Sequence, residues 1–275
     1  MSLQSPLSRP ADYSVPRSAV RWTMRLRIAA AVVAVAALCA GGRAAAQQAT
    51  LRVLGSNGVK AAFEQLQADC ERHVGRSIAV TFGTSASTKQ RITGGEAFDV
   101  AILTSDVIDE LTKAGKIAPA SRQVLGRSGI GIGVRAKAAK PDIRTADALK
   151  RTLVNARSMT WASDGASRPH IARMIETLGI ADAVKSKVIL EEGSVRAASR
   201  VASGDADLII TLISEIAPVP GLDLVGPLPA EFQNYVSFAA GIGSAAHDAE
   251  AGRALIAFLA GPGASAAFTS KGIDR

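Results

Sequence analysis

The residues of this 275-residue sequence best suited to chemistry are hydroxyl side chains gathered in short turns. Ser56-Asn57, Thr84-Ser85-Ala86-Ser87, the run from Ser163 through Ala166, Ser167 and Arg168 to Pro169, and Gly193-Ser194-Val195 each stand between an apolar run and a helical period. A strand that feeds a turn and then a helix leaves the first backbone N–H groups of that helix unpaired, with the positive end of the helix dipole behind them. Such a turn holds an anion without burying a counter-charge, because each N–H or O–H points at one acceptor oxygen. A single turn of this kind is an ordinary hydroxyl cap. Its repetition in one chain points to a shared anion site, with Ser56, Asn57, Thr84, Ser85, Ala166, Ser167, Arg168 and Val195 as the candidate ligand-binding residues. Arg168 would suit a carboxylate, since a guanidinium offers parallel donors to two oxygens; the alternative is that it points to solvent at the rim. His170, two residues on, also reads as an ordinary first-turn residue.

Catalytic and metal-binding patterns are sparse. No Ser/His/Asp order, paired-cysteine spacing or His-x-x-x-His spacing stands out. Asp99, Asp106, Asp205 and Asp207 follow glycine-led turns at strand edges, where aspartate commonly orders the backbone. The GIGIG run at residues 129–133 has no helix after it and is not a dinucleotide fingerprint. The expectation is a protein that is not an enzyme, with no cofactor and no direct metal ligands.

The elements that must position these turns follow from hydrophobic periodicity. Strands are expected at 51–54, 78–82, 100–103, 130–134, 159–161, 188–190 and 208–212, with helices at 59–74, 107–114, 146–154, 170–178 and 195–202 and a short one ending at Gly94-Gly95. This alternation predicts an α/β fold with mainly parallel sheet and ligands at the carboxyl ends of the strands. Two glycine-studded extended stretches, 123–134 and 234–243, read as crossings between lobes. Residues 47–125 with 238–275 would then form lobe 1 and residues 126–237 lobe 2, able to close on a ligand by bending at the crossings.

The start of the chain reads as a leader, residues 1–46. Met24-Arg25-Leu26-Arg27 is a positive n-region, residues 28–40 are apolar, and Ala44-Ala45-Ala46 offers a cleavage site before Gln47, so Met24 is a plausible true start and the mature chain is expected in the periplasm. The apolar run has 13 residues, short of the roughly 20 that span a bilayer. Without the leader the balance is 26 basic to 23 acidic residues, a net charge of +3 in place of +8. So small an excess, with no basic cluster interleaved with aromatics, argues against nucleic acid as a partner. Of the two cysteines only Cys70 remains after cleavage, so no intramolecular disulfide forms.

GSNGVKAAF, TFGTSASTKQRITGGEAFDVAILTSD and SVRAASRVASGDADLIITLISE together resemble the periplasmic substrate-binding proteins of ABC importers of the molybdate-binding type. The resemblance spans nearly all of the mature chain. It implies a two-lobed type II periplasmic binding fold, each lobe a mainly parallel sheet flanked by helices and joined by two hinge strands. It also implies a small anionic ligand, a membrane permease as partner, and a monomer. The family's oxyanion-contacting serines fall on Ser56 and Ser85, and its backbone-donor positions fall near Ala166 and on Val195. Where the family has a tyrosine shortly before a Ser-Asp pair, this chain has Leu212 before Ser214-Glu215. Molybdate or tungstate, an organic carboxylate, and a ligand sensed on behalf of a membrane kinase all stay open.

Overall fold

A computed structural model describes residues 50–275, and the leader reading for residues 1–46 lies outside the described residues. Three strand-helix units open the described chain. β1 (Leu51–Ser56) leads into α1 (Asn57–Val74), β2 (Ile78–Gly83) into α2 (Ser85–Thr93), and β3 (Val100–Thr104) into α3 (Ser105–Lys113). α1 turns Val59, Ala62, Phe63, Leu66 and Cys70 inward at helical spacing and stops at Gly75, whose N–H bonds the Glu71 carbonyl in a left-handed cap. Burial pushes the Cys70 thiol up to about 12, leaving it an inert core residue.

A long strand, β4 (Gln123–Arg135), carries the chain into a second set: α4 (Ala146–Asn155), β5 (Met159–Ala162), α5 (Arg168–Thr177), α6 (Ala181–Val184), β6 (Val188–Glu191), α7 (Ser194–Ser203) and β7 (Leu208–Leu212). β8 (Leu222–Pro227) lies in a proline-flanked stretch where hydrophobic periodicity predicts no strand. β9 (Tyr235–Ile242), α8 (Ala249–Ala260) and α9 (Ser265–Ser270) complete the fold.

The strands hydrogen-bond in the order β2-β1-β3-β9-β4-β7-β5-β6, with β8 also on β4. One wing, β2-β1-β3, and the other, β7-β5-β6, are each parallel. β4 and β9 run antiparallel to each other and to the wings, and so join them. Every residue of β3, β5 and β7 is buried, which is why these strands read as continuous apolar runs; parallel strands covered by helices on both faces have no solvent side. The glycine run in β4 has a packing cause. A Cβ at Gly133 would lie 2.6 Å from Ile216 Cγ2, so the close approach of the segment after β7 requires a bare backbone there.

Asp99 is 1% exposed and accepts from the Arg52 and His247 backbone N–H groups, both at 2.8 Å, and from the Arg52 guanidinium. Burial opposes its charge, but these donors together hold its carboxyl below the usual range. Asp207 likewise accepts from the Arg157 backbone and side chain.

Candidate active site

The hydroxyl-bearing turns all lie at the carboxyl ends of parallel strands, and side chains bring them together across the two wings. Thr84 Oγ1 donates to Asp164 Oδ2 at 2.5 Å, and the Gly193 N–H donates to Asp164 Oδ1 at 3.2 Å. Asn57 Nδ2 donates to Ser194 Oγ at 3.3 Å, and Ser194 Oγ in turn donates to Glu215 Oε1 at 2.9 Å. Thr211 Oγ1 donates to the other Glu215 oxygen at 2.5 Å. Two of the protein's own carboxyl groups, on Asp164 and Glu215, thus accept hydrogen bonds from the first, second and fourth turns, directly or through Ser194.

This network sits between two cavities. The larger, about 430 Å³, is lined by Ser85, Ser105, Asp106, Asp164, Ala166, His170 and Tyr235 among others. The smaller, about 250 Å³, is lined by Asn57, Lys60, Ser194, Val195, Ser214 and Glu215 among others. A third hollow, about 630 Å³, lies beside the starts of β5 and β7 between Arg135, Arg151 and Arg157 and touches none of these turns.

The sequence-predicted residues are therefore shared out. Ser85 and Ala166 face the larger cavity; Asn57 and Val195 face the smaller. Thr84 is buried between them on Asp164. Ser56 is buried and caps α1, its Oγ accepting from the Gly58 N–H at 3.3 Å. Ser167 is buried at the start of α5. Arg168 is exposed and lines neither cavity; its Nη1 donates to the Ser163 carbonyl at 2.6 Å, folding the guanidinium back onto its own turn.

Local structure explains what the larger cavity presents. Ser85 Oγ accepts from the Thr104 N–H at 3.0 Å, which fixes the oxygen and leaves the hydroxyl proton for another acceptor. Thr104 precedes α3 without a side-chain capping bond, and the buried Ser105 Oγ has no hydrogen-bond partner among the described residues. Thr84 Oγ1 caps α2 by accepting from the Ser87 N–H at 3.1 Å, so the open first turn of α3 is the helix N-terminus that offers donors to this cavity. His170 is half-buried; burial, and secondarily the charge of Arg173, lowers its pKa, so the imidazole is neutral and able to take a proton near pH 7. Glu215 is half-buried as a residue, but its carboxyl is deep enough that loss of solvation raises its pKa despite the Thr211 and Ser194 donors.

Several of these groups had no place among the predicted site residues. Asp164 lay inside the third turn and Ser105-Asp106 follow a strand as the other turns do, so their signal was present in the sequence. Tyr235 had none. It arrives on β9, and its ring enters a site otherwise built from turns far away in the chain.

Comparison with known proteins places this geometry. Residues 51–274 match the family model described as bacterial extracellular solute-binding protein. An aconitate isomerase from a Pseudomonas species is 32% identical over 234 residues, covering 82% of this chain and 87% of that protein. The periplasmic molybdate-binding protein of Azotobacter vinelandii superposes with a TM-score of 0.71 at 18% identity, over 82% of this chain and 99% of that one. The sulfate-binding protein SubI from Mycobacterium tuberculosis H37Rv does so with a TM-score of 0.65 at 19% identity, over 82% and 86%. These structures bear out the two-lobed α/β periplasmic-binding fold that the resemblance implied. The isomerase corrects a different expectation, that the chain is not an enzyme. That expectation rested on missing triad and metal motifs, which proton-transfer chemistry does not need. With its residues 51–274 matched end to end by the model, the chain belongs to the bacterial extracellular solute-binding protein family.

Proposed function

We propose that this protein is a periplasmic isomerase of a small unsaturated polycarboxylate, aconitate or a close analogue, acting in the larger cavity. The observation that carries the reading is the setting of His170: a neutral imidazole lining the same cavity as Ser85 and the open first turn of α3. Aconitate has a methylene flanking its double bond. Removal of a proton from that methylene by His170 breaks one C–H bond and leaves an electron pair spread over the three allylic carbons and the adjoining carboxylates. Return of the proton to the far allylic carbon shifts the double bond, and rotation in the delocalised state interconverts the cis and trans forms. The helix N-terminus of α3 favours the charge that builds up on the substrate oxygens. The lobes, residues 47–125 with 238–275 and residues 126–237, close over the substrate by bending at β4 and β9 and exclude water from the carbanion.

A dense inorganic dianion fits less well. Asp164 and Glu215 accept the hydroxyl and N–H donors at the centre of the network, so a compact anion seated at that centre would find its donors engaged, whereas a longer ligand can use the unpaired groups along the larger cavity. Delivery of the same carboxylate to the membrane permease of an ABC importer is the second reading, favoured by the family to which the chain belongs.

The test is turnover. The purified protein is incubated with cis-aconitate in heavy water and followed by proton NMR. Conversion to the trans isomer with solvent deuterium at an allylic carbon is the expected result. A protein that binds aconitate yet leaves it unchanged would reject the isomerase and favour delivery. Saturable binding of molybdate but not of aconitate would reject both.

A further inference from the structure

We infer that Arg127, on the strand joining the two wings, is the cation that recognises a substrate carboxylate; the inference rests on the polycarboxylate reading above. Among the described residues no lysine or arginine lines the larger cavity, which already holds Asp106 and Asp164. A polycarboxylate needs a positive partner within reach of that lining, since like charges at such a site are costly. Arg168, the cation suggested by the sequence, is spent on the Ser163 carbonyl. Lys60 lies on the other cavity, beside Glu64.

The register of the joining strands supplies the alternative. β4 and β9 pair antiparallel with Arg127 opposite Ser237 and Gly129 opposite Tyr235. Directly opposed residues share a face, and so do residues two apart, so Arg127 stands on the same face as Ser237 and Tyr235, both of which line the cavity. The Arg127 guanidinium carbon lies 4.6 Å from the centroid of the Tyr235 ring. Gly129, opposite Tyr235, packs closest to Gln233: a Cβ there would lie 3.1 Å from Gln233 Nε2 and in ordinary contact with the Tyr235 ring. Stacking on the ring holds the guanidinium while its N–H edge stays open. Arg127 is exposed; Asp274 stands opposite it in an isolated antiparallel bridge through backbone hydrogen bonds, and among the described residues the guanidinium is in neither an ion pair nor a side-chain hydrogen bond. Together, Tyr235 and Arg127 place a phenol and a guanidinium at the mouth of the cavity, reached from a hinge strand rather than from a turn.

The experiment compares the purified protein with its Arg127→Gln, Arg127→Lys and Tyr235→Phe variants. Binding of tricarballylate, the saturated tricarboxylate, is followed by calorimetry and aconitate turnover by NMR. Arg127→Gln is expected to weaken tricarballylate binding at least ten-fold and to raise KM in proportion, with kcat changed less and the melting temperature unmoved. Arg127→Lys should recover part of the loss, because it keeps the charge and gives up the fork. If the unsubstituted protein binds tricarballylate and Arg127→Gln stays within two-fold of it, this inference falls while the isomerase reading stands. If the unsubstituted protein neither binds tricarballylate nor turns over aconitate, the isomerase reading falls and takes the inference with it.

Discussion

The two cavities flanking the central hydrogen-bond network share its residues but differ in what they leave unused. In the smaller one, the Glu215 carboxyl accepts from Ser194 and Thr211, and the Ser194 hydroxyl is also the acceptor for Asn57. The groups centred on Glu215 satisfy one another, and burial holds Glu215 toward its neutral form, although the buried Ser214 hydroxyl on this side has no hydrogen-bond partner among the described residues. In the larger one, among the described residues the Ser85 proton and the Ser105 hydroxyl have no acceptor and the first turn of α3 has no side-chain cap, and His170 lines the space as a neutral imidazole. A group already paired stabilises the fold, and a group left unpaired at the edge of a cavity awaits a ligand. On the proposed reading, the side with His170 and the open turn of α3 carries the reaction, and the Glu215 side holds the two wings together.

The largest effect that would break this contrast is on turnover. Replacing His170 with Gln should lower kcat for aconitate at least about 10²-fold, the scale of a lost general base, with tricarballylate affinity changed no more than a few-fold. Steady-state kinetics beside calorimetry would show it, and an unaltered kcat would remove His170 from the reaction.

Next comes stability on the other side. Glu215→Ala strips the Ser194 and Thr211 hydroxyls of their acceptor and should cost about 2 kcal/mol in chemical denaturation. Glu215→Gln should cost less and leave kcat near the unsubstituted value. Loss of turnover in Glu215→Gln would show that the smaller cavity takes part in the chemistry.

The same pair of residues predicts opposite pH effects on stability. Glu215 has a folded pKa raised above its ordinary 4.5, so its contribution is full below that value and is lost as pH rises through the raised pKa. His170 has a folded pKa lowered from 6.5, so its contribution is present above 6.5 and is lost as pH falls through the lowered pKa. Denaturation curves across pH 4 to 8, an ordinary experimental window, should show the first slope vanish in Glu215→Gln and the second in His170→Gln. The smallest effect is expected at the boundary between the cavities. Thr84→Val removes one hydroxyl from Asp164 and should raise KM a few-fold and cost about 1 kcal/mol; no change in either would mean that the Thr84–Asp164 bond does not position the site.

Much of the fold was legible in advance because its cause is local. The inward positions of α1 and the buried runs at β3 and β7 follow from periodicity over a few residues, and the strand at 208–212 lies where its apolar run lies. β8 was missed because its half-exposed, proline-flanked residues carry little pattern of their own and become a strand only by pairing with β4. The absence of enzymatic motifs was read as absence of enzymatic function, which the aconitate isomerase corrects.

The sequence by itself determined the order of elements, the hydroxyl-bearing turns and the family resemblance, all of which depend on residues close together in the chain. Only the tertiary structure decided which turns share a cavity, that Arg168 folds back on Ser163, and that Asp164 and Glu215 fill donors otherwise free for an anion. It also decided that Tyr235 and Arg127 meet, through a register between β4 and β9. Strand register is set by pairing across more than a hundred residues and by which face is buried, and no local pattern carries that information.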